Sequence, residues 1–367
     1  MIYRTPKIDG RLPSRLVELD ELRARLGEQA GAAGPWLGSL RREWRASSAE
    51  SSIEIEGFHV PAGERVAVAG GDDTPAPTDD ARMALSCYAR AMDHVGVMAG
   101  DPVFRWADRV ILDLHFDACQ FQTEQDPGRY RRRGIEVTKR GGGTAAYVGP
   151  PFEDVPALMA EVVSWLEHGD LDAHVAVRAA MAHLHVVSVH PYRDGNGRIA
   201  RIVQSLVLAR EGPLAPEFIS IEEYLGRNTE AYSRVLRETQ GGSYQPERDA
   251  GPWVRFCVGA HLDQARRRLE QIAEAGRRWS LLEGLVEDRG WPDRLVIALE
   301  QSLTQGVDRA SHAAEAGVST PTSSNDLRRL VDAGLVVQRG KGRSTRYVAS
   351  DKLRGALRRH LEGGPTD

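Results

Sequence analysis

The chain has 367 residues, a formal net charge of -4 and a hydrophobic content of 41%. This length exceeds one typical globular unit and allows a sizeable core, so two or three domains are expected. The slightly acidic balance argues against a globally basic nucleic-acid-binding protein.

Three cysteines, Cys87, Cys119 and Cys257, lie far apart in apolar helical contexts. An odd and widely spaced set indicates a reducing compartment and no disulfide framework. The N-terminus carries charged residues where a signal peptide needs an apolar run, and no apolar run approaches about 18 residues. The sequence therefore predicts a soluble, cytoplasmic protein with no membrane partner.

Residues 1–100 form the first predicted region, which is helical with breaks. Ser52 and Glu56 are four residues apart, so a helix would place both side chains on one face. Gly57 follows them and is suited to end such a helix. A loop rich in Gly, Asp and Pro is predicted over residues 70–77.

The second predicted region, residues 101–262, is mainly helical but contains one β-hairpin. Residues 135–138 and 145–148 are short β-prone runs separated by three glycines, which predicts a hairpin with a flexible tip. A free strand edge there could take up an extended segment of another protein. The basic run Arg131 to Arg133 before the hairpin is either part of this element or a solvated surface.

Helical periodicity follows over residues 155–166 and 175–189, where apolar residues recur three and four apart. The second helix contains His183 and His185, and His115 lies earlier in the chain. These histidines lack the spacing of a zinc site, so we expect them to be packed or hydrogen-bonded rather than to bind metal.

The most informative stretch runs from His190 to Arg201 and reads H-P-Y-R-D-G-N-G-R-I-A-R. Gly195, Asn196 and Gly197 can turn the chain tightly and direct backbone N–H groups towards an anion, with a helix N-terminus behind them. This arrangement predicts a polyphosphate site.

Other residues of the same stretch have complementary chemistry. Arg198 and Arg201 share one face of the predicted helix 198–209, so two guanidinium groups would meet the same phosphates. Asp194 is a hard oxygen ligand suited to Mg²⁺, which usually binds through one or two carboxylates plus substrate phosphates. His190, with an ordinary pKa of about 6.5, is a candidate general base.

This stretch resembles the signature of the Fic (Fic/Doc) family, which reads H-P-F-x-D-G-N-G-R-x-x-R. Only Tyr192 departs at an informative position, and it keeps an aromatic ring while adding a hydroxyl that needs a partner or solvent. The resemblance implies a Fic-type helical bundle and a protein adenylyltransferase, which transfers AMP from ATP to a Ser, Thr or Tyr hydroxyl of a target protein. It assigns His190 as the base and Asp194 as the ligand of Mg²⁺. It also implies that the phosphates are bound by Gly195, Asn196, Gly197, Arg198 and Arg201.

The upstream segment resembles the inhibitory helix pattern of the same family, in which Ser or Thr precedes Glu by four residues and Gly or Asn follows. Ser52, Glu56 and Gly57 occupy its fixed positions. The resemblance implies that Glu56 pairs with Arg201 and displaces the γ-phosphate from its productive position. Because this pattern precedes the catalytic signature, it indicates the class with an N-terminal inhibitory helix.

Two further resemblances concern ligand contacts. Residues 127–137 resemble the G-x-Y-R lead into the hairpin flap of the family, which implies that the target protein binds there. Tyr232, in the region 228–232 that encloses the nucleobase in such proteins, is a candidate to contact adenine. A helical aromatic with apolar neighbours is equally typical of a core residue, so both interpretations of Tyr232 remain open.

The C-terminal part divides into a connecting helix at 263–291, with an exposed stretch at 263–278, and a last region at 292–367. In the last region, helices are predicted at 295–303, 308–316 and 319–333, and β-prone runs at 335–339 and 344–348. This order resembles a winged helix-turn-helix module. The exposed face of its third helix would carry Ser319, Thr320, Thr322, Ser323, Asn325 and Arg328.

A winged helix of this kind binds either DNA or protein, because fold does not determine use. The residue types on the third helix meet bases and phosphates, and the region carries a net charge of about +3. The basic residues Lys341, Arg343 and Arg346 follow in the hairpin and are the candidates for phosphate contacts.

Two functional hypotheses follow from the sequence. The first is an autoinhibited, Mg²⁺-dependent protein adenylyltransferase that its winged helix directs to a target or to DNA. The second is a DNA-binding regulator whose Fic core is an ATP-responsive switch. The intact His190 favours the first, because a nucleotide sensor needs no base. Removal of AMP from the target, with water activated by Glu56, remains a variant, and the oligomeric state stays open, a homodimer included.

Overall fold

The computed structural model describes residues 1–32, 34, 36–61, 63–70, 79–138, 145–212, 214–304, 306–340, 342 and 345–361. Most of the predicted loop at 70–77 and the glycine tip of the hairpin lie outside these residues. The chain divides into two compact units, one formed by residues 1–28 and 42–268 and the other by 29–41 and 269–367. The four-part division that the sequence suggests stays a prediction.

The N-terminal part is helical, as predicted. Its helices are α1 (Leu12–Ala32), α2 (Trp36–Ile55), α3 (Arg65–Gly70), α4 (Asp80–Gly100) and α5 (Asp108–Cys119). Asp79 caps the N-terminus of α4, where its carboxylate accepts a hydrogen bond of 2.9 Å from the backbone N–H of Arg82. Leu85, Tyr88 and Val95 of α4 are buried.

The hairpin flap is present as the sequence predicts. Strands β1 (Glu136–Thr138) and β2 (Ala145–Val148) pair antiparallel, with Val137 opposite Tyr147. The outer edge of β2 is partly covered, since Val148 N–H donates a 2.9 Å hydrogen bond to the carbonyl of Gly242. Among the described residues β1 has no strand on its outer side, so its edge can accept an added strand.

Two buried helices form the centre of the first unit and position the functional loop. They are α7 (Val175–Val189) and α8 (Asn196–Glu211), and α6 (Val155–His168) packs against α7. Every side chain from Ala176 to Val189 is buried. A helix that is buried all round lies inside a helical bundle, so the loop between α7 and α8 is held by two core elements.

The helices that follow are α9 (Pro216–Ile219), α10 (Glu222–Arg227), α11 (Thr229–Gln240) and α12 (Gly251–Glu287), and the last of these belongs to the first unit up to residue 268 and to the second unit from residue 269. The stretch 263–278 was predicted to be exposed, which is wrong for one face. It lies within α12, where Leu269, Ile272 and Ala275 are buried. Their spacing of three residues places them on one side of the helix.

The C-terminal elements are α13 (Arg294–Thr304), α14 (Arg309–Ala316), α15 (Thr320–Asp332), β3 (Val336–Arg339), β4 (Arg346–Ala349) and α16 (Asp351–Leu361). The predicted helix boundaries are confirmed to within a few residues, because the turn chemistry is explicit. Asp308 and Ser311 form a capping box at α14. Gly317 ends that helix with φ of 64°, and Ser319 caps α15.

β3 and β4 pair antiparallel, so the order of three helices and a hairpin is the one expected from the sequence. One surface residue was predicted wrongly. Ser323 is fully buried and its hydroxyl donates a 2.8 Å hydrogen bond to the carbonyl of Arg309. Ser319, Thr320, Asn325 and Arg328 are exposed. Among the described helices, none combines the length and the apolar character that spanning a bilayer requires.

Candidate active site

The stretch from His190 to Arg201 forms the loop between α7 and α8 and the first turns of α8. His190 ends α7 with φ of 50°, and Gly195 precedes α8 with φ of 78°. Asn196 closes the loop, because its side-chain amide accepts from the N–H of Tyr192 and donates to the carbonyl of Tyr192, each at 2.9 Å. The Asn196 side chain is therefore occupied within the loop, so contacts with an anion would fall to backbone N–H groups at the start of α8.

His190 is arranged as a neutral base. Its Nδ1 lies 3.1 Å from the carbonyl of Val187, and since a carbonyl only accepts, Nδ1 carries the proton. The unprotonated atom is then Nε2. Burial lowers the pKa of His190 to about 4, although the Val187 carbonyl opposes this shift. The imidazole is consequently neutral at pH 7 and able to accept a proton.

Arg198 lies in a fully buried position beside Asp194. One guanidinium nitrogen donates to Asp194 Oδ2 and to Gln122 Oε1, both at 2.8 Å. The guanidinium carbon lies 5.7 Å from the ring centre of Phe58 and 5.6 Å from that of Phe121. These two rings stabilise the cation through cation–π contacts. The carboxylate of Asp194 remains 39% exposed.

Arg201 is held by the end of α2. Its Nε–H donates to Ser52 Oγ at 2.7 Å, and a terminal nitrogen donates to Glu56 Oε1 at 2.8 Å and to the carbonyl of Ser52 at 3.0 Å. Burial alone would lower the pKa of Arg201, but the Glu56 carboxylate outweighs it and raises that pKa. The structure thus brings Ser52, Glu56 and Arg201 together as the resemblance implies.

The Glu56 carboxylate also occupies the space above the N-terminus of α8. A Cβ atom on Gly197 would collide with Glu56 Oε1 and would lie 3.1 Å from Arg201. Helix N-termini attract anions because their N–H groups and dipole are unsatisfied. Glu56 therefore stands where an anionic ligand of this helix end would bind.

The chain turns sharply after Glu56. Gly57 has φ of 98°, its N–H donates to the carbonyl of Glu54, and the N–H of Phe58 donates to the carbonyl of Ile53. These are the two hydrogen bonds of a Schellman motif with glycine in the left-handed position. This turn brings Phe58 onto Arg198 directly after Glu56 reaches Arg201. We call residues 52–58 the inhibitory segment, after the family pattern that Ser52, Glu56 and Gly57 resemble.

Tyr232 packs in the interior of the bundle. It is 5% exposed, and its hydroxyl lies 3.1 Å from His183 Nε2. Its ring contacts Trp253, and burial raises the pKa of Tyr232 to about 12, while the charge of nearby Arg201 limits the rise. This position favours the core interpretation over an adenine contact.

The histidines His115, His183 and His185 are packed, as the sequence predicts. His183 Nδ1 lies 2.7 Å from Gln204 Oε1, and His185 is buried against Trp165. His115 stacks on Tyr192 with ring centres 3.5 Å apart. Within the described ranges, no group of three or more His, Cys, Asp or Glu side chains is arranged to hold a metal ion.

The hydroxyl of Tyr192, the one departure from the family signature, finds an acceptor inside the bundle. It donates to the carbonyl of Ile111 at 3.4 Å, and the ring is fully buried. The ring lies against His115, whose Nε2 is 2.9 Å from the backbone carbonyl of Asp194. Tyr192 therefore helps to fix the loop that carries Asp194.

Three residues of the site were not predicted from the sequence: Phe58, Phe121 and Arg131. Arg131 is 3% exposed, so the solvated-surface alternative is wrong for this residue. Its guanidinium donates to the carbonyls of His190 at 2.8 Å, Pro150 at 2.6 Å and Arg133 at 2.9 Å. The likeness to the G-x-Y-R pattern was the available signal, because its arginine falls on Arg131, but the three consecutive arginines were interpreted together.

Replacing Gly195 with alanine is expected to destabilise the protein by about 2–4 kcal/mol. The left-handed backbone disfavours a side chain, and the new Cβ would collide with Cys119 Sγ. Urea denaturation followed by circular dichroism measures the loss. Gly96→Ala is the control, because that glycine lies in α4 with open space around it. An equal change in both variants would contradict the expected packing at Gly195.

The site is thus a loop between two core helices of a bundle, with a helix N-terminus, a neutral histidine and two buried arginines. Comparison with known proteins identifies the family to which this domain belongs. Residues 107–208 match the Fic/DOC family. This part of the chain is therefore a domain of the Fic/DOC family.

Several named relatives share this domain. The chain is 29% identical over 247 residues to a uridine 5'-monophosphate transferase of Xanthomonas campestris, covering 60% of this chain and 41% of the relative. It is 35% identical over 158 residues to a protein adenylyltransferase Fic of Drosophila yakuba, covering 42% of this chain and 28% of the relative. The chain thus spans less than half the length of these relatives.

Solved structures show the same fold. A Fic family protein from Desulfovibrio desulfuricans has a TM-score of 0.61 at 22% identity, covering 95% of this chain and 99% of that chain. Fic-1 from Caenorhabditis elegans has a TM-score of 0.56 at 20% identity, covering 71% of this chain and 72% of that chain. At these identities the likeness concerns the fold.

Proposed function

We propose that this protein transfers AMP from ATP to a hydroxyl side chain of a target protein. The observation that carries the proposal is the neutral His190 beside an anion-accepting helix end with two arginines. A site that only sensed a nucleotide would need the arginines but no base. Relatives named as adenylyltransferases and as a uridine monophosphate transferase support nucleotidyl transfer to proteins as the reaction class.

The chemistry needs a proton acceptor and charge stabilisation. His190 Nε2 takes the proton of the target hydroxyl, and the oxygen attacks the α-phosphorus of ATP. The bond between the α-phosphorus and the bridging oxygen breaks, and pyrophosphate leaves with the electron pair. In-line phosphoryl-type transfer asks the protein mainly for positioning and electrostatics. The N-terminus of α8 with Arg198 and Arg201 would stabilise the phosphate charge.

The donor set fits a magnesium ion that is shared with the nucleotide. Asp194 offers a half-exposed carboxylate next to the loop, and Mg²⁺ commonly binds through one or two carboxylates plus substrate phosphates. When bound, the ion would neutralise phosphate charge. Asp194 would hold it, after exchanging part of its ion pair with Arg198 for the metal.

The inhibitory segment supports an autoinhibited state. Glu56 pairs with Arg201 and stands at the anion-binding end of α8. A triphosphate whose γ-phosphate needs Arg201 must compete with that carboxylate, and two anions at one site repel each other. Transfer would therefore be slow until Glu56 moves away.

Phe58 is expected to contribute to the same inhibition. Phe58→Ala removes the ring that lies over Arg198 and should raise transfer by about twofold to fivefold. Initial rates of labelling with ATP measure this effect. Phe121→Ala is the matched control, because that ring also contacts Arg198 but does not belong to the inhibitory segment. A similar increase in both variants would mean that Arg198, and not the segment, is responsible.

The test of the function is self-labelling of the Glu56→Gly variant with Mg²⁺ and ATP that is labelled at either the α- or the γ-phosphate. AMP transfer predicts incorporation from the α-labelled nucleotide alone. Incorporation from γ-labelled ATP would show phosphorylation instead. Stronger incorporation from α-labelled UTP would show that the transferred group is uridine monophosphate and not AMP.

The C-terminal elements support a second candidate function, DNA binding by a winged helix. The exposed face of α15 carries Thr320, Asn325 and Arg328, and an antiparallel hairpin follows it. Helices with such residues read the major groove in winged and related modules. In this candidate, the Fic core makes DNA binding respond to ATP.

An Asn325→Ala/Arg328→Ala variant is expected to weaken DNA binding by about thirtyfold, since two contacts on the order of 1 kcal/mol each are lost. Gel shifts at several salt concentrations, with and without ATP, measure this loss. Lys341 and Arg343, the other predicted contacts, lie outside the described residues. If the parent protein binds no duplex DNA, or binds it as well as the variant does, the candidate fails.

A further inference from the structure

A cavity of about 170 Å³ lies beside the catalytic loop and is lined mainly by arginines. Its lining residues are Asp126, Arg129, Tyr130, Arg131, Arg132, Arg133 and Arg193. We call it the arginine pocket. Neither Arg198 nor Arg201 contributes to it, so it is separate from the end of α8 where phosphates of a nucleotide would bind.

The pocket holds more positive charge than its own carboxylate can neutralise. Asp126 forms an ion pair of 3.1 Å with Arg193, whose second partner is the carbonyl of Glu124. The hydrogen bonds of Arg131 to described residues go to carbonyl oxygens, which satisfy its N–H groups but carry no net charge. Arg129, Arg132 and Arg133 are exposed.

The position of the pocket connects it to the proposed chemistry. Arg193 belongs to the catalytic loop, immediately before Asp194. Arg131 contacts the loop twice, through Nε–H to the carbonyl of His190 at 2.8 Å and through its backbone N–H to the carbonyl of Pro191 at 2.9 Å. The same residue leads into the flap. A group bound in the pocket would therefore lie beside the catalytic loop and the segment that leads into the flap.

We propose that the arginine pocket binds an anionic side chain of the target protein, close in sequence to the hydroxyl that receives AMP. The proposal rests on the proposed function, since it names a feature of the substrate. Guanidinium groups bind carboxylates and phosphates through paired N–H donors. The bound group is a carboxylate of an acidic segment or the phosphate of a phosphorylated residue, which share this chemistry.

The size of the pocket suits a single side chain. Sites for small organic ligands usually enclose about 300–1,000 Å³, whereas this cavity is smaller and has one ion-paired wall. A nucleic acid would need a continuous basic groove that follows its backbone. The arginines here converge on one cavity next to the loop, which favours an anchored acidic residue of a polypeptide.

The test measures binding of labelled peptides to the full chain by fluorescence anisotropy in the absence of ATP. The probes are a glutamate-rich peptide, the same peptide with one phosphoserine in place of the glutamates, a lysine-rich counterpart and a single-stranded oligonucleotide. The variant Arg132→Gln/Arg133→Gln removes two exposed charges from the pocket. Arg234→Gln/Arg237→Gln removes two exposed charges from α11 and is the matched control.

The parent protein is expected to bind the acidic or the phosphorylated peptide, and the pocket variant to lose at least about fivefold in affinity while the control changes by less than about twofold. The stronger of the two peptides identifies the source of the anion. Arg129→Gln, measured alone, should show a smaller loss in the same direction and remains informative if the double variant does not fold.

Three outcomes would overturn the proposal. They are no binding of either anionic peptide, equal losses in the pocket and control variants, and tighter binding of the oligonucleotide than of both peptides. Because binding is measured without transfer, the two proposals fail separately. A protein that labels itself but binds no anionic peptide refutes the pocket alone, whereas peptide binding without any labelling refutes the proposed transfer.

Discussion

Replacing Glu56 with glycine is expected to raise AMP transfer by about tenfold or more, which corresponds to about 1.4 kcal/mol in activation free energy. The substitution removes the carboxylate that lies 2.8 Å from Arg201 and fills the anion-binding end of α8. Arg201 is then available to a γ-phosphate. Initial rates of self-labelling from α-labelled ATP, compared with the parent protein, measure the effect.

The control is Glu54→Gly, a substitution of the same kind in the last turn of α2, two residues before Glu56. It weakens the end of the helix by about 1 kcal/mol and leaves in place the carboxylate that pairs with Arg201. If both variants gain equally, loosening of α2 and not loss of the ion pair is the cause. If the parent protein, but not Glu56→Gly, removes AMP from a modified target, Glu56 acts with water in the reverse reaction and the proposed direction is wrong.

Replacing His190 with alanine in the Glu56→Gly background is expected to lower transfer by at least about a hundredfold, the usual contribution of a general base. The loss should appear in kcat, because the phosphate-binding groups remain. ATP affinity, measured by calorimetry, should therefore change little. Comparable loss of ATP binding would show that His190 only maintains the loop, to which it contributes its left-handed backbone.

The pH dependence provides a second readout for His190. Because its pKa is lowered to about 4, the base form persists as the pH falls below the ordinary value of about 6.5. We expect kcat/KM of Glu56→Gly to stay nearly constant from pH 7 to about pH 5 and to fall as the pH approaches 4. A drop centred near 6.5 would indicate a solvated histidine and contradict the buried geometry.

The central features could be predicted from sequence because local chemistry determines them. Gly195 can adopt its positive φ without steric cost, and the apolar helices on both sides leave one position for the loop. Gly317 and Ser319 likewise mark the boundaries of α14 and α15. The pairing of Ser52 and Glu56 with Arg201 could be predicted only from a family pattern, because Glu56 and Arg201 are 145 residues apart in the sequence.

The remaining features depend on tertiary packing, which no local pattern encodes. Ser323 has a polar side chain on a polar helix, but a carbonyl of α14 lies within its reach and it is buried. Arg131 resembles its exposed neighbours in every local respect and differs only in facing the loop carbonyls. Tyr232 could equally contact a base or pack in the core, and its hydrogen bond to His183 distinguishes the two.

The turn at Gly57 determines how the proposed inhibition would be released. Glu56 and Phe58 lie on either side of this one glycine, and they contact Arg201 and Arg198 respectively. Straightening the turn would withdraw the carboxylate and the ring in a single movement, so both cations become accessible together. Activation should then follow an all-or-none course, with enzyme molecules distributed between two populations and few of intermediate activity.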